Sequence, residues 1–334
     1  MNTTFTRVLV GMALAVTALS LPGALSPASA AADVDVRPLP LPIGERPTVP
    51  YVHRPTYESV AVVDPATGTD VPVDFVGDDG DSFELLGQSG KGFILRVRNR
   101  NVDEIVRAQL GVPQKTLVSM YYGDRARLSV DGRYLLISKT LTTGAIQAQV
   151  RNTSTGAVVA RHTFKASTRP DPIDVSGTRV LVGGYGTPRT MVWDWKAGTV
   201  TTIASRVAYA GSLATNRLAT YTKDPARAGA CTVVTTITRP GTQLWRGCEE
   251  KLASFSPDGA RFATELRTNS DVVRRRSLRG TLLTTYRNPN GLRMFAWETN
   301  TRILMWSAIG SSGETWLVRC EAAACERTVR GNVG

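Results

Sequence analysis

The chain has 334 residues, 42% of them hydrophobic and 20% charged, with 30 Gly, 18 Pro and only 7% aromatic side chains. This excludes a disordered polymer, a collagen-like repeat and a polytopic membrane protein, because the apolar content is ordinary and is not gathered into several long runs. Forty Lys and Arg against 28 Asp and Glu give a net charge of +12, and 33 of the 40 are Arg, which points to a high-GC genome more than to any particular chemistry.

Residues 1 to 30 carry one charge, Arg7, then an apolar run from Val8 to Leu21, then small residues ending Ala28-Ser29-Ala30. This pattern predicts a secretory signal peptide cleaved after Ala30, since the run is too short to cross a hydrocarbon layer of roughly 30 Å. No membrane-spanning run follows, and loss of Arg7 takes the +12 to +11. A secreted, monomeric protein is the expectation. From Arg37 to Pro55 the chain is Pro-rich (RPLPLPIGERPTVPYVHRP). Proline removes backbone donors and favours extended geometry, so residues 31–55 are expected to form a spacer rather than a packed element.

Beyond residue 55 one pattern recurs, a turn of small or polar residues followed by a short strand that starts near a basic residue. Its instances are QSGKGFILRV (88–97), SVDGRYLLIS (129–138), DVSGTRVLVG (174–183), LATNRLATYT (213–222), SPDGARFATE (256–265) and ETNTRILMWS (298–307). The marker residues Lys91, Arg133, Arg179, Arg217, Arg261 and Arg302 are 42, 46, 38, 44 and 41 apart. A period in the low forties with about four strands per unit predicts an all-β fold, a β-propeller of four-stranded blades. Second hairpins fit the same units, turning at Asn152–Gly156 and at Lys196–Gly198. The stretch Tyr57–Phe75 looks like a further outer hairpin. Because the last unit already owns its outer hairpin, seven blades are favoured over six, and residues 56–334 are read as the propeller domain.

Ser256-Pro257-Asp258-Gly259 with the strand after it, and Val130-Asp131-Gly132-Arg133, resemble the S-P-D-G turn of TolB-type and WD40-like β-propeller repeats; Trp193-Asp194 resembles the strand end of a WD40 blade. The resemblance covers most of residues 56–330. It implies the architecture and a binding platform, and it is nearly silent on chemistry.

Four cysteines, Cys231, Cys248, Cys320 and Cys325, are an even set in an exported chain, which predicts two disulfides, paired by proximity as 231 with 248 and 320 with 325. His53 and His162 lie far from them, so no zinc site is expected. Hydrolase, nucleotide-binding and metalloprotease motifs are missing, and no cofactor is expected. Asp78, Asp79 and Asp81, with Glu84, form an acidic stretch whose spacing does not follow a calcium loop; it is a weak candidate for calcium, with a solvated loop as the simpler reading. Arg274, Arg275, Arg276 and Arg279, followed by Arg287 and Arg293, form the densest basic cluster. It is the candidate polyanion site, for a cell-envelope polymer rather than nucleic acid. The leading functional expectation is a non-catalytic module that binds a protein or an anionic envelope polymer at one mouth of the ring. The alternative is a propeller glycosidase, lyase or lactonase whose carboxylates line the channel.

Overall fold

The computed structural model describes residues 31–56, 59–74, 82–99, 102–121, 124–227, 229–310 and 314–332. Residues 1–30, for which the sequence predicts a signal peptide, and the acidic residues Asp78, Asp79 and Asp81 lie outside the described residues. Among these, 28 strands form seven sheets, and the single helical element is one 3₁₀ turn, Ala166–Thr168.

The sheets are the blades of one propeller. The first runs from Tyr51 to Val73, the second from Ser82 to Tyr121, the third from Arg125 to Phe164 and the fourth from Pro170 to Ala204. The fifth runs from Ala208 to Gly247, the sixth from Glu250 to Arg287 and the seventh from Leu292 to Asn332. Within every blade the strands follow sequence order and pair antiparallel. The basic marker residues stand at, or one position before, the start of each second strand, as at Tyr134–Thr140, Arg179–Gly184, Arg217–Tyr221, Arg261–Leu266 and Arg302–Ala308.

Local chemistry makes these turns. In the third blade Ser129 Oγ bonds Asp131 Oδ1 (2.6 Å), and the same hydroxyl accepts from the Tyr134 amide (2.9 Å). The sixth repeats this with Ser256, Asp258 and the Arg261 amide. Gly132 (φ 68°) and Gly259 (φ 66°) take the left-handed conformation that closes each turn. The second and third strands are apolar on both faces because neighbouring blades cover both: Leu135, Leu136 and Ile137, for example, are all fully buried. The core is accordingly a set of six clusters, one in each seam between consecutive blades from the first to the seventh, such as Val60, Val62, Phe93, Leu95 and Val106 between the first and second.

The Pro-rich stretch differs from the expected spacer. Ala32–Asp35 adds to the outer edge of the sixth blade as a parallel strand beside Leu282–Arg287, with Ala32 opposite Thr284. Val36 is fully buried against Tyr286, Leu292 and Ile303. Farther on, the Arg327 amide donates to Pro42 O and the Gly44 amide to Arg327 O, both 2.9 Å, so the chain straps the seventh blade as well. The boundary at residue 56 is also displaced, because Tyr51–Thr56 is the opening strand of the first blade. The physical reason is that proline removes only its own donor: the carbonyls and the amides between the prolines still bond.

Candidate functional site

Each innermost strand from the second blade onward runs down from one face of the ring, here called the upper face, to its first turn at the lower face. The upper face therefore collects the starts of first strands, the ends of second strands and the connections that leave fourth strands. From the third blade to the sixth these positions bring together Arg125, Asp171, Tyr185, Tyr209, Tyr221 and Arg267, residues from four blades with no local spacing in sequence.

Tyr185 caps the second strand of the fourth blade. Its amide donates to Arg169 O and that of Gly186 to Thr168 O, both 3.1 Å. The approach requires glycine, because a Cβ on Gly186 would lie 2.0 Å from Ser167 O. The ring is left 37% exposed. Burial of the hydroxyl, with the Asp171 charge nearby, pushes the Tyr185 phenol up to about 12, so it is a neutral donor at any physiological pH. Asp171 sits 3.4 Å from Arg125 Nε, yet desolvation outweighs Arg125 and Arg127 and raises its carboxyl. Its Oδ1 is buried without a hydrogen-bond donor.

In the next blade Tyr209 and Tyr221 stack at 4.0 Å, and the Arg267 guanidinium lies 5.0 Å from the Tyr221 centroid. Thr232 Oγ1 ties the group together: it shares a 2.9 Å hydrogen bond with Tyr209 Oη, accepts from Arg267 Nη2 and donates to Glu250 O. The Leu252 amide donates to Tyr209 Oη (2.8 Å). Around this platform the upper connections carry Lys165, Arg169, Arg189, Lys223 and Arg227, with Asp224 and Glu249 the exposed acids among them. The lower face carries a cleft of mixed charge. It has a volume of about 720 Å³ and is lined by Arg302 and Arg319 against Glu45, Glu321 and Glu326.

The basic cluster of the sixth blade is largely internal. Arg274 Nη1 donates to Glu250 Oε1 (2.5 Å), while Arg276 Nη2 and Nε donate to Oε1 (2.7 Å) and Oε2 (3.0 Å). Thr264 Oγ1 donates to Oε2 as well. Burial raises the Glu250 carboxyl, but the bonds from Arg276, Thr264 and Arg274 together hold it below its ordinary 4.5. Arg275 points to the other face of the strand, donating to Thr301 O (2.8 Å), and is 7% exposed. Of the four candidate arginines only Arg279 is exposed. Alternation along the strand separates Arg275 from its neighbours as the sequence pattern predicts, but an acid and a backbone carbonyl, not a ligand, satisfy the guanidiniums. Farther along, Arg287 pairs with Asp33, and Arg293 is the second residue of the seventh blade's inner strand.

The structure bonds Cys231 to Cys248 and Cys320 to Cys325. His53 Nε2 lies 3.0 Å from Asp70 on the first blade, and His162 packs against Phe164 and Trp193 on an outer strand, where burial lowers its pKa. Neither reaches the upper mouth. Among the described residues no three His, Cys, Asp or Glu side chains are grouped so as to hold a metal ion, and no helix is long and apolar enough to cross a membrane.

No protein-family model matches the chain, and no curated protein matches it. Among solved structures it is similar to a prolyl endopeptidase (14% identity, TM-score 0.61), covering 85% of this chain and 48% of that one. It is also similar to an uncharacterized protein from Listeria monocytogenes EGD-e (12% identity, TM-score 0.55, 77% and 85% of the two chains). A third likeness is to TolB from Acinetobacter baumannii (16% identity, TM-score 0.48, 70% and 62%). The chain spans about half of the prolyl endopeptidase. At these identities the likeness shows the fold alone: the chain is a seven-bladed β-propeller whose turns resemble those of TolB-type and WD40-like repeats.

Proposed function

We propose that the protein is an exported, non-catalytic binding module whose upper mouth, between the third and sixth blades, holds an acidic macromolecule of the cell envelope, either a protein or an anionic polymer. The observation that carries this reading is the excess of cations around the exposed Tyr185, where Lys165, Arg169, Arg189, Lys223 and Arg227, with Arg125 and Arg267 beside them, outnumber the acids Asp171, Asp224, Glu249 and Asp271. Two disulfides support a location outside the reducing cytoplasm. This assignment moves the polyanion site away from Arg274, Arg275 and Arg276, whose charge is answered inside the blade. One observation favours an enzyme, the Asp171 carboxyl raised by burial beside a neutral Tyr185. A lone carboxyl supplies an acid or a base but not the pair that glycoside cleavage requires.

The test is retention of envelope fractions on immobilised residues 31–334. Bound material should fall several-fold between about 50 and 300 mM salt, in keeping with screening of exposed charges. The variant Arg169→Ser/Arg189→Ser/Lys223→Ser should lose most of it, while Arg279→Ser should lose little. Retention indifferent to both salt and the triple variant would overturn the assignment.

A further inference from the structure

Within the upper mouth Tyr185 is the ring left bare. Among the described residues no other ring and no cation packs on it, whereas Tyr221 carries Tyr209 stacked at 4.0 Å and the Arg267 guanidinium at 5.0 Å. Its chain neighbours are Gly184 and Gly186, so no side chain of its own segment rises directly beside it. Two arginines flank it instead. A Cβ on Gly184 would lie 3.1 Å from Arg189 Cγ, and one on Gly186 would lie 3.3 Å from Arg169 Cγ, so the stems of both run past the glycines on either side of the tyrosine. Arg189 Nε donates to the Thr187 carbonyl (3.4 Å), and neither guanidinium forms an ion pair among the described residues.

Asp171 completes the group, close enough for its charge to act on the Tyr185 hydroxyl. Its carboxyl accepts no hydrogen bond among the described residues. Arg125 Nε stands 3.4 Å from Oδ1 but off the hydrogen-bonding direction, and Oδ1 is itself covered. The side chain keeps 22% exposure, which leaves Oδ2 as the oxygen that meets solvent. Each of these groups calls for a different feature of one ligand. An aromatic face is electron-rich and attracts the C–H bonds of a sugar ring lying flat on it. Guanidiniums without an acid take carboxylates, in bidentate fashion where geometry allows. A carboxyl oxygen without a donor takes a hydroxyl. An acidic protein answers the arginines but brings its own carboxylates against Asp171, whereas a chain of sugar rings bearing both hydroxyls and carboxylates answers all of these groups.

We infer that the upper mouth binds an acidic polysaccharide, with one sugar ring on the face of Tyr185, its carboxylates on Arg169 and Arg189, and a ring hydroxyl donating to Asp171 Oδ2. This rests on the binding-module reading and narrows its ligand from a protein or an anionic polymer to a polymer of uronic-acid type. It also gives Asp171 a part in binding, as the one acceptor in a mouth otherwise dominated by donors.

The test is calorimetric titration of residues 31–334 with a linear pentamannuronate, the neutral mannopentaose of the same linkage, and Ac-EEEEE-NH2, which matches the first in charge. The pentamannuronate should bind about tenfold more tightly than either of the others. Asp171→Ala should act with opposite sign on the two acidic ligands. It should weaken the pentamannuronate about tenfold by removing the hydroxyl acceptor, and leave the peptide unchanged or tighter by removing a like charge. Tyr185→Leu, which keeps an apolar side chain without a ring, should also weaken the pentamannuronate about tenfold and spare the peptide. Asp171→Asn, which preserves shape, should fall between parent and Asp171→Ala. Absence of pentamannuronate binding at millimolar concentration would overturn the inference, as would equal affinity for the peptide or the neutral sugar, or parallel weakening of both acidic ligands by Asp171→Ala. Envelope retention that needs Arg169, Arg189 and Lys223 without any pentamannuronate binding removes this inference alone. Retention indifferent to salt and to the triple variant, with pentamannuronate bound by the parent and lost in Tyr185→Leu, removes the envelope assignment alone.

Discussion

At the scale of single residues, the most consequential side chain outside the upper mouth is Glu250. Its carboxylate is 7% exposed and accepts hydrogen bonds from Arg274, Arg276 and Thr264, so two guanidiniums on one face of a strand converge on one acid. A run of arginines that reads as a polyanion patch is thereby an internal clamp between the first and third strands of the sixth blade. Removing the charge leaves two partly buried cations without an anion, which costs more than the pair contributes. Glu250→Gln should lower unfolding stability by about 3 kcal/mol in urea titrations. The pH dependence has a fixed sign. With the folded carboxyl held below its ordinary 4.5, the stabilisation is complete above pH 4.5 and is lost as pH falls through the folded value. The variant should therefore show a shallower acid loss than the parent, and parallel pH curves would refute the clamp.

At the scale of elements, the blades differ in how much ladder they own. The outer hairpin of the fifth blade has strands of four and three residues, Thr232–Thr235 and Trp245–Gly247, against eight and nine in the seventh, Glu314–Glu321 and Ala324–Asn332. The Cys231–Cys248 bond closes the open end of the short hairpin, whereas Cys320–Cys325 staples the turn of the long one. Chain-entropy arguments give about 3 kcal/mol for the former loop and about 2 kcal/mol for the latter. Replacing Cys231 and Cys248 by Ala should cost that larger amount and raise amide exchange at residues 232–247 selectively. Equal, global effects from both pairs would count against a local role.

The turns of these elements were legible in the sequence because each is made by residues within five positions of one another, Ser256, Asp258, Gly259 and Arg261 being the model case. Their repetition carried the blade count. The upper mouth was not legible. Asp171, Tyr185, Tyr221 and Arg267 meet only after three blades have closed on one another, and nothing in their spacing distinguishes them from other acids, tyrosines and arginines on strand ends. The clamp was hidden for the same reason, since Glu250 lies 24 residues from its nearer arginine.

At the scale of the whole molecule, the ring is held at its seam by a strap. Val36 is fully buried between the sixth and seventh blades, and Ser307 Oγ donates to its carbonyl. Beyond it Arg319, 8% exposed at its side chain, gathers Glu298 and Glu326 together with the carbonyls of Glu45 and Arg46. The strap thus crosses the outside of the last two blades and delivers the chain into the first, so that the start and end of the described chain are bonded although no blade mixes strands from both. Burial of Val36 alone contributes about 2 kcal/mol. A chain beginning at Ile43 should lose at least that much, and the loss should be uneven. Exchange protection should drop at residues 282–287, 324–332 and 51–63, next to the strap and the seam it closes, while 134–152 in the third blade stays protected. Proteolysis should likewise begin at the seam. If the shortened chain instead loosens every blade equally, the ring is closed by its own packing and the strap is only a passenger on it.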